Sequence, residues 1–201
     1  MLITQEAAKM DLVNHLSGIQ MIIESAIKKY DTEIIPSHKA IFDASTRSHI
    51  TNEFMRFEAV SYAQKNNLET VITNRMFLLI ISSQNGRYAV RFKKLDRYGF
   101  SNNITTYQTT KYKGQDSLDE IETKVNLDAG YFIDKDNNVE YFLALPNNNS
   151  IQWVVDLKTL NDITLHADMF EEYYSDNDLV TSKTTEISEL PYEKTGTKDK
   201  Q

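Results

Sequence analysis

Hydrophobic residues in the first part of the chain recur at three- and four-residue steps. Leu12, Leu16, Ile19, Ile23, Ile27 and Tyr30 fall on one stripe, which predicts an amphipathic helix over the first 30 residues. Gly18 sits inside that stripe and weakens the helix by about 1 kcal/mol relative to alanine. Pro36 breaks the pattern, and Ser37 is placed to cap a short second helix through Ala40-Ile41-Phe42. A third helix is expected from about Ser48 to Asn66, with Phe54, Phe57 and Ser61 on one face and Met55, Ala59 and Tyr62 beside it. Asn66-Asn67 is its stop signal.

The period then changes from helical to alternating. Met76 to Ile81 is a continuous apolar run of strand length, expected to be buried on both faces. Asn85-Gly86 marks a hairpin, after which Tyr88, Val90 and Phe92 alternate with Arg87, Arg91 and Lys93. A loop rich in Asn and Thr is expected from Tyr98 to about Gln115. Beyond it, Ala129 to Ile133, Val139 to Leu145 and Ile151 to Leu157 read as a meander with turns at Lys135 to Asn138 and Pro146 to Ser150. Three helices followed by about five antiparallel strands is an α+β layout, with the N-terminal helices packed on one face of the sheet. The expected organisation is a helical segment at 1–68, a sheet region at 69–169 forming one domain with it, and a mobile acidic tail at 170–201. The stripe from Leu12 to Tyr30 packs on the sheet or on a second copy, so oligomeric state stays open.

Composition excludes several classes. The 201 residues include no cysteine, which removes disulfides, thiolate zinc sites and cysteine nucleophiles. No apolar run approaches the roughly 18 residues of a membrane span, and the first residues lack a secretory pattern. A cytoplasmic protein is therefore expected. The net charge of −7 argues against an anionic partner for the chain as a whole. Its distribution argues otherwise: Arg87, Arg91, Lys93, Lys94, Arg97, Lys111 and Lys113 face one acid, Asp96, for a local balance of +6. Residues 171–201 carry eight acids and four lysines.

The chemistry candidates follow from this map. The basic cluster, interleaved with Tyr98, Phe100, Tyr107 and Tyr112 and joined by Asn102, Asn103, Thr106 and Gln108 in the loop, has the composition of a recognition surface for phosphates and bases or for an acidic protein. A second constellation lies in the last hairpin. If its turn centres on Asn148, Glu140 faces Asp156, and Lys158 shares that face. That trio resembles the core of the PD-(D/E)xK nucleases, and the resemblance implies that Glu140 and Asp156 hold Mg²⁺ while Lys158 helps activate water. Here no proline precedes the first acid, and no helix is evident after Lys158. Asp134-Lys-Asp136-Asn-Asn138 starts like a calcium loop but has Val139 and Leu145 where glycine and the closing acid are needed, so it is a turn. The four histidines, His15, His38, His49 and His166, have no metal-site spacing, and there is no glycine-rich phosphate loop.

Arg91-Phe92-Lys93-Lys94-Leu95-Asp96, the run from Ser101 to Gln108, Gly130-Tyr131 and Trp153 together resemble a poorly characterised family of phage, prophage and mobile-element proteins, over about residues 75–157. Members tend to be encoded near helix-turn-helix repressors and ImmA/IrrE-type peptidases. The resemblance implies a bacterial host cell and a role in regulation or in conflict between element and host. It transfers no catalytic residues. The leading expectation is a non-enzymatic interaction protein without a cofactor that binds an anionic protein or nucleic-acid surface through the basic strand and loop. The alternatives are an Mg²⁺-dependent nuclease built on Glu140, Asp156 and Lys158, and an acidic DNA mimic acting through the tail.

Overall fold

A computed structural model describes residues 2–73, 75–101, 106–116 and 125–159. The expected acidic tail, together with Asn102 and Asn103, lies outside the described residues. The described residues all fall within one compact unit, residues 1–163.

The N-terminal layer is helical. Helices α1 (Gln5–Asp11) and α2 (Val13–Glu33) replace the single expected helix, because the chain bends at Leu12. The bend lets Asp11 accept hydrogen bonds from Tyr88, Asn85 and Ser83, which ties the junction to the first central hairpin. The short helix α3 (Pro36–Ile41) starts with Pro36 in its first turn, where a missing N–H costs nothing. Ser37 is not its cap; Ile35 occupies that position without a side-chain bond. Helix α4 (Ala44–Lys65) begins earlier than expected, since Asp43 caps it through the N–H of Thr46 at 2.6 Å. At Gly18 of α2, helix α4 comes close: a Cβ there would stand 2.3 Å from the ring of Tyr62.

The sheet has six strands among the described residues, in sequential order: β1 (Glu69–Thr73), β2 (Met76–Ser83), β3 (Gly86–Lys94), β4 (Val125–Ile133), β5 (Val139–Asn147) and β6 (Ser150–Asp156). The α+β architecture is as the periodicity indicates. The first strand is the one that the pattern does not show. Pairing is antiparallel except between β3 and β4, which run parallel with Arg91 beside Asp128. A parallel neighbour requires a crossover. The crossover after β3 carries a helix, α5 (Tyr107–Lys113), where the sequence reads as a structureless loop.

Strand parity divides the side chains into two layers. Leu79, Ile81, Tyr88, Val90, Leu127, Ala129, Tyr141, Leu143 and Val155 join Leu16, Ile19, Ile23, Met55 and Ala59 in the main core under α2 and α4. Leu78, Ile80, Ala89 and Tyr112 form a smaller core on the opposite face, beneath α5. The sheet is thus covered on both faces, which explains why β2 reads as an uninterrupted apolar run.

Candidate functional site

The face under the crossover is where the polar chemistry collects. Arg91 on β3 and Asp128 on β4 are register partners, and both are buried, at 3% and 0% exposure. The guanidinium holds the carboxylate with two parallel bonds of 2.8 Å, Nε to Oδ1 and Nη2 to Oδ2. Ser101 donates to Oδ2 at 2.8 Å, and its Oγ lies 3.2 Å from Arg91 Nη2. Arg91 also lies over the ring of Tyr112, 4.3 Å from its centre. The Tyr112 hydroxyl sits between the carbonyls of Ala89 and Leu127, so it stitches β3 to β4 from above. Burial, with Asp128 adding to it, keeps that phenol protonated well beyond the usual tyrosine range.

Lys113 closes the arrangement. It is 8% exposed, donates to the Ser101 carbonyl at 2.8 Å and covers the ring of Phe100 at 3.8 Å. Burial lowers its pKa, while the charge of Asp128 acts in the opposite direction. Gln115 and Asn126 complete the anchorage: the Gln115 amide donates to the carbonyls of Asn126 and Pro146 and accepts the Asn126 N–H. The turn of β5–β6 is held as well, through Asn148 N–H to the Lys113 carbonyl at 2.8 Å.

Two glycines let the crossover lie this close. A Cβ on Gly130 would stand 1.7 Å from the Lys93 carbonyl oxygen and 3.1 Å from Leu95, so only glycine lets β3 exit over β4. Gly99 has φ +80 and rests against Val154 and Ala144. It belongs to a compact turn in which Asp96 accepts the N–H groups of Tyr98 and Phe100 at 2.9 Å.

The expected binding residues therefore divide. Arg91 and Lys113 belong to the accessible basic surface that the sequence suggests, but they are interior and committed to Asp128, Ser101 and Phe100. The reason is the parallel β3–β4 pair, which puts Asp128 beside Arg91; sequence alternation alone shows only which face Arg91 is on. Arg87 is partly exposed and paired with Glu69. Lys94 and Arg97 are exposed, and Lys93 is half-buried. Thr106 caps α5 through the N–H of Thr109. Gln108 is half-buried against the fold, Tyr107 is exposed, and Lys111 is partly exposed.

The outer side of the crossover carries two cation–aromatic pairs. The Arg97 guanidinium lies 4.6 Å from the ring centre of Tyr98, and Lys111 Nζ lies 4.8 Å from that of Tyr107. Both rings are largely exposed, at 63% and 69%.

The last hairpin has a different register from the one expected. Asp156 stands opposite Phe142, and Glu140 pairs with Phe132 on β4. The turn lies between Asn147 and Ser150, and a bulge opposite Leu145 and Pro146 leaves Gln152 of β6 without a partner. Asp156 accepts the Lys158 N–H at 2.9 Å. The Lys158 ammonium donates to the Val139 carbonyl and lies over Tyr141. Parity keeps Glu140 and Asp156 on one face, offset by two residues rather than facing. Among the described residues no three His, Asp or Glu side chains converge as a metal site, and no helix is long and apolar enough to cross a membrane. Asp134 is occupied by its own turn: bonds from the Asn138 side chain and backbone, and from the N–H of Asp136, hold its carboxyl below the ordinary range.

Comparison with family models, with curated proteins and with solved structures gave no match.

Proposed function

We propose that this is a non-enzymatic interaction protein that binds an anionic surface, on a protein or a nucleic acid, through the outer side of the β3–β4 crossover. The observation that carries the reading is the pairing of exposed rings with accessible cations, Arg97 on Tyr98 and Lys111 on Tyr107, on a segment pinned by buried bonds. Aromatic rings held under cations offer stacking and charge together, and a pre-ordered surface loses little entropy on binding. Lys94 adds charge at the start of the crossover. In this reading Arg91, Lys113, Asp128 and Ser101 position the surface and do not touch the partner.

The resemblance of residues 91–96, 101–108, 130–131 and 153 supports an origin in a phage or mobile element, and hence a regulatory or inhibitory role inside a bacterial host. Several of those residues have visible structural roles: Asp96 builds the turn, Ser101 reaches Asp128, Gly130 admits the crossover, and Trp153 donates to the Ile3 carbonyl at 3.0 Å. The test is binding to labelled DNA, RNA and poly-glutamate. Arg97→Ala with Lys111→Ala is expected to weaken binding at least tenfold at low salt without lowering the melting temperature. Unchanged binding would refute the assignment of the surface.

A further inference from the structure

The turn at residues 96–100 and helix α5 stand on the same face of the sheet. Gly99 rests on the side chains of Val154 and Ala144, which are register partners, and Ala144 is also the partner of Asp128. Asp128 lies beside Arg91, whose guanidinium meets the Tyr112 ring of α5. Cross-strand partners share a face, so both pieces of the crossover cover one layer. They also touch each other. Lys113, in the last turn of α5, covers the Phe100 ring at 3.8 Å and donates to the Ser101 carbonyl at 2.8 Å. The exposed rings of Tyr98 and Tyr107 therefore sit on elements fixed relative to one another. Tyr107 is six residues from Lys113, about 9 Å along the helix, and Tyr98 is two residues from Phe100. A single strand of roughly four nucleotides or more, the size that such sites take, spans both.

What the rings offer decides the class of partner. Each is largely exposed and has one cation beside it, Arg97 at 4.6 Å and Lys111 at 4.8 Å. The face of an aromatic ring is electronegative, so a carboxylate gains from the cations and nothing from the rings. A nucleotide gains from both, because its base stacks on the ring while its phosphate meets the cation. Only unpaired bases present their faces in this way; a duplex keeps them stacked inside. The magnitudes favour the same partner. Two cations answer to two phosphates, a weak attraction for a chain of net charge −7. Stacking contributes about fivefold to a hundredfold per base and does not depend on net charge.

We infer that the outer side of the crossover is a single-stranded nucleic-acid site, in which bases stack on Tyr98 and Tyr107 and the adjoining phosphates meet Arg97 and Lys111. The inference rests on the reading of an anionic partner and names its class.

The test uses the full chain at low salt with four labelled probes: oligo-dT, an abasic strand of the same length, duplex DNA and poly-glutamate. The parent is expected to bind oligo-dT at least tenfold more tightly than the abasic strand, which has the phosphates without the bases. Tyr98→Leu with Tyr107→Leu changes two exposed positions and is expected to melt with the parent. It should weaken oligo-dT binding roughly thirtyfold or more and leave abasic-strand and poly-glutamate binding within about twofold. Tyr98→Phe with Tyr107→Phe loses the hydroxyl to which Arg97 donates but keeps both rings, so oligo-dT binding should persist. Equal affinity of the parent for oligo-dT and the abasic strand overturns the stacking, whatever the variants do. Equal weakening toward every probe in the Leu variant overturns it as well, because the rings would then only hold the cations in place. Tighter binding of duplex DNA or poly-glutamate than of oligo-dT overturns the single-strand assignment and keeps the anionic-surface reading. No binding of any probe, or binding that Arg97→Ala with Lys111→Ala leaves unchanged, removes that reading and the inference with it.

Discussion

Replacing Asp128 with Asn keeps the size of the side chain and removes its charge. The surroundings determine the consequence. Both carboxylate oxygens accept bonds from Arg91 at 2.8 Å, and Oδ2 also accepts Ser101. An amide NH₂ placed at either oxygen would point donors at donors, and the guanidinium would remain buried without a counter-charge. Breaking a buried pair from one side costs about 3–5 kcal/mol. In a unit of this size that corresponds to a melting temperature lower by roughly 6–20 °C. Urea unfolding followed by circular dichroism measures the loss. The companion variant, Arg91→Met with Asp128→Leu, removes both charges and is expected to recover most of the stability. It would still lose binding if the crossover no longer rests in place, since Ser101 and Lys113 take their positions from this pair. An Asp128→Asn protein within about 1 kcal/mol of the parent would refute the reasoning, because it would mean that solvent reaches the pair.

Other consequences are as direct. Gly130→Ala is expected to cost about 3 kcal/mol, since its Cβ would stand 1.7 Å from backbone oxygen that cannot rotate away; Gly114→Ala, with contacts of 3.2–3.3 Å, serves as the mild control in the same melts. Tyr112→Phe is expected to cost about 1–2 kcal/mol by denaturant titration, because two carbonyls lose the hydroxyl between them. Burial pushes the Tyr62 phenol up to about 12, so absorbance titration should show a tyrosine that ionises there and is absent in Tyr62→Phe. The unfolded chain releases that proton near 10 and the folded one near 12, so the stabilisation is complete below 10 and is lost as pH rises through 12. His15, whose Nδ1 lies 2.9 Å from the Tyr62 hydroxyl, has its pKa lowered by burial. Its contribution is present above the ordinary histidine value and disappears as pH falls through the lower folded one, which proton NMR of the ring would follow.

How much of the structure is legible in the sequence depends on the range of the interaction. Periodicity locates α4 and five of the strands, since Tyr88, Val90 and Phe92 alternate with polar neighbours whatever lies beside them. It does not show β1, where Glu69-Thr-Val-Ile-Thr73 is short, lies at the edge and is mostly exposed. Nor does it show α5, whose Thr, Gln and Lys residues carry no apolar stripe; the helix is held by Tyr112, Lys113 and its Thr106 cap. The turn residues around Asn148 are recognisable, but the turn is centred between Asn148 and Asn149, and the bulge at Gln152 adds a second step of register, so Asp156 meets Phe142 instead of Glu140. The identity of Asp128 as the partner of Arg91 is invisible, because the two lie 37 residues apart and meet through a parallel pairing that no local pattern announces. Its one signal is an aspartate inside a largely apolar strand, Val125 to Ile133, where a buried charge demands a partner.

The central claim is that accessible cations on the crossover bind an anionic surface while the buried ones only position it. Fluorescence anisotropy of labelled single- and double-stranded DNA, RNA and poly-glutamate, at about 50 and 200 mM salt with and without Mg²⁺, tests it most directly. The account predicts Mg²⁺-independent binding without cleavage, weakening as salt rises, and a salt slope smaller by about 1.4 for single strands when Arg97 and Lys111 become Ala. Binding that ignores both salt and those two substitutions would contradict it, as would product that forms only with Mg²⁺.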